Sequence, residues 1–186
     1  KNYKSKAIDY SSQKTISYSQ LSTYSSCPHK WSLKYKDGHY IDEYSINMTF
    51  GTALHETLQH YITTIYEQSG AEADRIELEE YFETKFREIY LKGYKANKNI
   101  HFSNPPEMNE FYEDGLEIIR YIKKNRNTYF SKKGWYLVGC EVPILINPNP
   151  DFKNILFKGY LDVVLYNEIT DKFLIFDIKT SKKSWN

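Results

Sequence analysis

Cysteine, net charge and long apolar runs are what this chain of 186 residues has little of. Its two cysteines, Cys27 and Cys140, lie far apart in the sequence, which excludes a disulfide framework and suits a reducing, cytoplasmic compartment. With 25 Lys and Arg against 24 Asp and Glu, the formal charge is only +1. Bulk charge therefore does not announce a nucleic-acid partner, and any such site has to be a local basic patch. No apolar run approaches the roughly 20 residues of a membrane span, so no membrane partner is expected. The opening stretch KNYKSKAIDYSS has no apolar core followed by a cleavage site, so no secretory leader is expected either.

What the chain has in excess is aromatic: 18 tyrosines and 10 phenylalanines, read as an aromatic-rich core in preference to stacking platforms for bases. Its length suits one domain. Residues 1–16 are polar and aperiodic and read as a flexible arm. In SYSQLSTYSSCPHKWSLKY, Ser17 or Ser19 can cap a short helix bearing Leu21 and Tyr24, and Pro28 suits the first turn of a second one bearing Trp31 and Tyr35. Lys30, Lys34 and Lys36 decorate that second helix, as either a solvated basic face or a phosphate-contacting one. In TFGTALHETLQHYITTIYEQ, Leu54, Leu58, Tyr61, Ile62 and Ile65 form one helical stripe. His55 sits at its edge, with Gly51 one turn earlier leaving space beside the imidazole; taken alone, such a histidine reads as a satisfied structural group. Residues 71–96 read as a second long helix with Leu78, Phe82, Phe86 and Ile89 inward. Asn104, Pro105 and Pro106 open a third, which carries Phe111, Gly115 and Ile119 and ends near Lys132, Lys133 and Gly134.

Beyond Gly134 the period becomes two. WYLVGCEVPILI (135–146), ILFKGYLDVVLY (155–166) and FLIFDIKT (173–180) are joined by the turn-rich NPNPDFKN and NEITDK, which predicts an antiparallel three-stranded meander. Helices followed by a sheet make a mixed α+β domain. In the last strand an acid and a base follow an apolar run, and alternation puts Asp177 and Lys179 on one face. Charges on a buried strand are costly without partners. If the NEITDK turn is symmetric, Asn167 faces Lys172 and Asp162 falls opposite Asp177, with Cβ atoms about 4.5–5.5 Å apart. Facing carboxylates repel unless a cation lies between them, and oxygen ligands of this kind suit Mg²⁺. A symmetric first hairpin pairs Glu141 with Tyr160, placing Glu141 on the face of Asp162 and Cys140 on the core side. Asp162, Asp177, Lys179 and Glu141 would then form a site for metal-assisted hydrolysis, with Lys179 positioning or activating the water. A plain Asp177–Lys179 salt bridge at a strand end is the other reading of the triplet.

Four stretches in order, SYSQLSTYSSCPHKW, FGTALHETL, FKGYLDVVLY and FLIFDIKTS, resemble the PD-(D/E)XK nuclease superfamily, specifically its RecB-like exonuclease branch. The resemblance implies a restriction-endonuclease-like core whose meander bears the active site. It implies His55 as a metal ligand through G-x-x-x-H, Asp162 through G-x-x-D, and Asp177 and catalytic Lys179 through D-x-K. The main-chain carbonyl of Ile178 is implied as a further ligand, with Glu141 auxiliary. The implied cofactor is Mg²⁺ or Mn²⁺, and the implied substrate is DNA, as single strands or duplex ends. Lys30, Lys34, Lys182 and Lys183 are the candidate DNA contacts, and a protein partner in a recombination or replication complex is in keeping with the branch. Cys27-Pro28 is similar to the iron–sulfur subgroup, which includes the CRISPR-adaptation nucleases. The three further cysteines that follow D-x-K in that subgroup are missing from this sequence, so an iron–sulfur cluster is not expected. The expected organisation is an arm at 1–16 and one nuclease domain at 17–186, with a helical insertion at about 70–132. That domain would be truncated at its C-terminus, ahead of the family's Q-x-x-x-Y helix and further strand. A non-catalytic nucleic-acid-binding or assembly module on the same fold is the competing expectation.

Overall fold

A helix of 22 residues, α3 (Ile46–Glu67), runs through the middle of the molecule. Ser45 starts it, its hydroxyl accepting the Met48 amide at 3.2 Å. Ile46, Phe50, Leu54, Leu58, Tyr61, Ile62 and Ile65 recur at three- and four-residue steps and are all buried. Each large side chain so buried contributes about 1.5–3 kcal/mol. The computed structural model describes residues 3–10, 14–40, 43–130, 133–149, 151 and 155–180.

Against α3 pack α4 (Gly70–Arg75), α5 (Leu78–Ala96) and α6 (Pro105–Lys124). Asn104 caps α6 by accepting the Glu107 amide at 3.0 Å, with two prolines in the first turn. Gly115 faces α5 so closely that a Cβ there would overlap the Phe82 ring. No helix among the described residues is long and apolar enough to cross a membrane.

The sheet has four strands among the described residues: β1 (Thr15–Ser17), β2 (Trp135–Ile146), β3 (Leu156–Asn167) and β4 (Lys172–Phe176). β3 is central, with β2 antiparallel along one edge. Its other edge is shared: β1 pairs parallel with residues 156–158, and β4 antiparallel with residues 163–167. Among the described residues no strand pairs with 159–162 on that edge, and Asp162 lies there. The mixed α/β architecture, a helical half and then an antiparallel meander, is the restriction-endonuclease-like arrangement expected from the sequence.

The second hairpin has the expected register, Asn167 facing Lys172. Asn167 makes the turn, its side-chain oxygen accepting the amides of Ile169 and Thr170 at 3.0 Å each. The first hairpin does not have its expected register. Cys140 pairs with Val163 and Val142 with Leu161, which puts Glu141 level with Asp162 instead of Tyr160. A shift by two leaves the parity of faces unchanged.

Four further expectations are corrected. Residues 71–96 are not one helix: the chain turns at Ile76 and Glu77, where the Ile76 carbonyl accepts the Leu78 amide, and Lys123 Nζ from α6 donates to the carbonyls of Asp74 and Ile76 (3.3 and 3.1 Å). The third helix stops at Lys124 and is followed by the short α7 (Arg126–Tyr129), tied back by Arg126 to Asp74 at 2.8 Å. The expected flexible arm is docked where it is described. Ser5 donates to the Val138 carbonyl at 2.9 Å, the Tyr3 ring lies against Tyr136 and Tyr166, and Tyr10 lies against Tyr160. β4 is also less buried than its composition predicts, with Phe173 66% and Ile175 53% exposed. Phe176 alone of its apolar run turns inward, against Phe130.

Between β1 and α3 lie α1 (Tyr18–Ser26), α2 (Pro28–Trp31) and a π-helical turn, Ser32–Lys36. Ser17 caps α1, accepting the Gln20 amide, and the Cys27 sulfur caps α2, accepting the Lys30 amide at 3.4 Å. None of the three contains a buried residue.

Candidate metal centre

Three elements bring one donor side chain each to a common point. His55 comes from α3, Glu141 from β2 and Asp162 from β3, and their ligand atoms all lie within 4.8 Å of one another. An octahedral ion with donors at about 2.1 Å keeps those donors within about 4.2 Å of each other, close to the separation found here. An imidazole nitrogen with two carboxylates is a donor set for Mg²⁺, Mn²⁺ or a related cation.

The backbone of Ile178 is threaded through this group. Its amide donates to Asp162 Oδ2 at 2.6 Å, and its carbonyl lies 2.7 Å from His55 Nε2, which donates to it. The carbonyl is thus within hydrogen-bond length of the imidazole that would share an ion with it. Gly51, one turn before His55, does not leave open space as expected. Thr180 fills it: a Cβ at Gly51 would fall 3.2 Å from the Thr180 hydroxyl. The G-x-x-x-H spacing therefore lets the D-x-K segment lie close on α3.

Glu141 reaches the group through an irregularity. It is in the left-handed region at φ 49°, flanked by the regular pairs of Cys140 and Val142. A residue in that conformation breaks the alternation of a strand. Glu141 accordingly contacts the same helix as its neighbour Cys140: Gln59 Nε2 donates to Glu141 Oε1 at 2.9 Å, while the Cys140 sulfur lies 3.7 Å from the Thr63 hydroxyl. Burial pushes the Cys140 thiol up, so it stays protonated.

Asp177 and Lys179 are placed apart from the three-donor group. β4 ends at Phe176, and beyond it Asp177 accepts Lys179 Nζ at 2.7 Å, both side chains about half exposed. Lys30 is exposed, and Lys34 Nζ stands 5.4 Å from the centre of the Tyr35 ring. Lys182 and Lys183 lie outside the described residues. The contact that sequence reasoning missed is Gln59. Its signal was present, a polar residue one helical turn beyond His55, but its partner lies on a strand 82 positions away.

A search of curated proteins finds no match to the chain. The family model of the PD-(D/E)XK nuclease superfamily matches residues 15–186, which takes in β1, the helices and the whole meander. Nucleases of that superfamily use divalent metals to hydrolyse phosphodiester bonds, the chemistry for which the His55, Glu141 and Asp162 donors are suited. The chain belongs to the PD-(D/E)XK nuclease superfamily.

Proposed function

We propose that this protein is a metal-dependent deoxyribonuclease of the RecB-like exonuclease branch. It would hydrolyse single-stranded DNA or duplex ends in cytoplasmic recombination, repair or replication, within a complex that includes a protein partner. The observation that supports this best is the convergence of His55, Glu141 and Asp162 around the Ile178 backbone. Mg²⁺ or Mn²⁺ held there supplies a bound water of lowered pKa and positive charge for the scissile phosphate. His55, Asp162 and the Ile178 carbonyl are the primary donors, with Glu141 held in place by Gln59. Asp177, exposed and paired only through its own neighbour in the described contacts, is the further carboxylate ligand, and in doing so it frees Lys179 to orient the attacking water. Lys30 and Lys34, with Lys182 and Lys183, contact the DNA backbone.

The test is a time course on end-labelled and closed-circular single-stranded DNA with Mg²⁺, Mn²⁺ or EDTA. Asp177→Ala and Lys179→Ala are expected to abolish cutting while circular dichroism stays unchanged. Full activity in either variant would sink the assignment. Cutting of closed circles would refute a strict exonuclease, and DNA binding by the parent without hydrolysis would leave the non-catalytic module as the function.

A further inference from the structure

Beside the donor group is a cavity of about 320 Å³, and apart from Asp177, Ile178 and Lys179 the metal chemistry leaves its wall unused. Leu58 and Ile62 of α3, Tyr121 and Ile122 of α6, Phe130 and Ile178 line it. Its wall is almost wholly apolar. The exceptions are Asp177 and Lys179, and the paired hydroxyls of Tyr121 and Tyr129, 2.9 Å apart. Phe130 and Phe176, with ring centres 5.3 Å apart, supply aromatic surface on the strand side. Ile178 belongs to both places: its amide and carbonyl engage Asp162 and His55, while the residue also lines the cavity. The cavity is thus one residue away from the donor group.

We infer that this cavity is a subsite for one unpaired nucleobase of the strand being cut, next to the scissile phosphate. The inference rests on the nuclease reading and narrows its substrate. The occupant has to be flat, largely apolar on its faces and polar at its edge, and it has to be joined to an anion. The aromatic and aliphatic walls meet the faces, the Tyr121–Tyr129 hydroxyl pair offers a donor and an acceptor to the edge, and the donor group beside Ile178 takes the adjoining phosphate. The volume lies at the lower end of small-molecule sites, about 300–1,000 Å³, enough for a single nucleoside and too small for a stacked base pair. A duplex therefore has to surrender a nucleotide before that strand can be cut, at the unstacking cost met by enzymes that extrude a base.

The experiment uses the full chain in its parent form and single-stranded oligonucleotides carrying one abasic residue, moved position by position across the cleavage site. Removal of the base at a single position is expected to lower kcat/KM about tenfold, in line with the loss of one stacked base. Ile122→Trp, which fills the cavity, is expected to reproduce that loss on intact DNA, and the two losses should not compound. A second measurement needs no cutting. In EDTA, the fluorescence of 2-aminopurine at that same position is quenched on binding by the parent and not by Ile122→Trp. Equal rates across the abasic series, with robust cutting throughout, would overturn the subsite and leave the nuclease reading standing. No metal-dependent cutting of any substrate would remove the nuclease reading; quenching relieved by Ile122→Trp would then still support a base in the cavity, and its absence would overturn that too. Quenching that Ile122→Trp leaves unchanged would place the base elsewhere and refute the proposal.

Discussion

The aromatic residues do opposite things in two regions of this molecule. Around α3 they are core: Phe50, Tyr61, Phe82, Phe86 and Phe111 are buried, with Phe50 5.3 Å from Phe111 and edge-on to Phe82. In α1, α2 and the π-helical turn nothing is buried, yet Tyr24, Trp31, Tyr35 and Tyr40 touch in series, Tyr24 and Tyr40 being 51% and 63% exposed. The charges differ too. Lys14, Lys30, Lys34 and Lys36 face a single acid, Asp37, between residues 14 and 40. The outer faces of α5 and α6 carry many acids, several paired, such as Glu79 with Arg120 (3.0 and 2.7 Å) and Glu83 with Arg87 (2.7 Å). Burial identifies the first set of rings as structural. If the chain acts on DNA as proposed, the partly exposed rings and the lysines beside them are where single strands are expected to bind.

The largest expected effect is at the donor group, which α3 shares with the sheet. His55→Ala or Asp162→Asn is expected to cut metal-dependent cleavage about a thousandfold, the loss of several kcal/mol of metal-supplied stabilisation, with the melting temperature nearly unchanged. A steady-state assay beside a thermal melt checks it, and cleavage within tenfold of the parent would rule the residue out as a ligand. Next is the core. Gly115→Val drives a branched side chain into the Phe82 ring and should cost about 2 kcal/mol in urea unfolding. In the exposed region Tyr24→Ala should shift stability by less than about 0.5 kcal/mol while weakening binding of single-stranded DNA about tenfold in EDTA. Lys34→Ala should also flatten the salt dependence of that binding. Loss of stability without loss of affinity would mean that the exposed rings are structural after all.

The smallest effect concerns pH. Hydrogen bonds from Arg120 hold the Glu79 carboxyl below its ordinary range, against a burial effect of opposite sign. Burial alone would raise Asp74, but hydrogen bonds from Arg126 and Tyr61, with Lys123 nearby, leave it lowered. A carboxylate depressed in the folded state lends stability that is present above its unfolded value of about 4 and is lost as pH falls through the folded value. Unfolding midpoints should therefore drop on acidification from about pH 5 to 3. Each group contributes under about 1 kcal/mol, because both side chains are nearly half exposed. Asp74→Asn should flatten that slope, and an unchanged slope would show that the Asp74–Arg126 tie contributes nothing measurable.

Local chemistry was legible in the sequence and distant partners were not. The NEITDK hairpin could be read because Asn167 builds its own turn, but its pairing stops at Val163 with Phe176, so the expected pairing of Asp162 with Asp177 is not made and Asp162 accepts the Ile178 amide instead. The first hairpin was misplaced by two residues because its connector is asymmetric, the shift being present already at Ile146 and Phe157; the left-handed backbone of Glu141, which redirects its side chain, was announced by no residue pattern either. The break at Ile76 and Glu77 contains neither proline nor glycine, and its carbonyls are satisfied by Lys123 from another helix. β1 joins the sheet through three parallel pairs with residues about 140 positions later, too short and too remote for any periodicity to reveal.

The Ile178 backbone closes the site by joining Asp162, 16 positions away, to His55, 123 positions away. Contacts of such separation are slow to form, because loop closure has to precede any gain from them. The helical layer, built mostly from near neighbours, has no such delay. A chain emerging from the ribosome therefore lacks the link between Asp162 and His55, and with it the proposed catalytic centre, until residue 178 has been made and docked. For a protein read as a degrader of DNA, order of synthesis doubles as a safety catch.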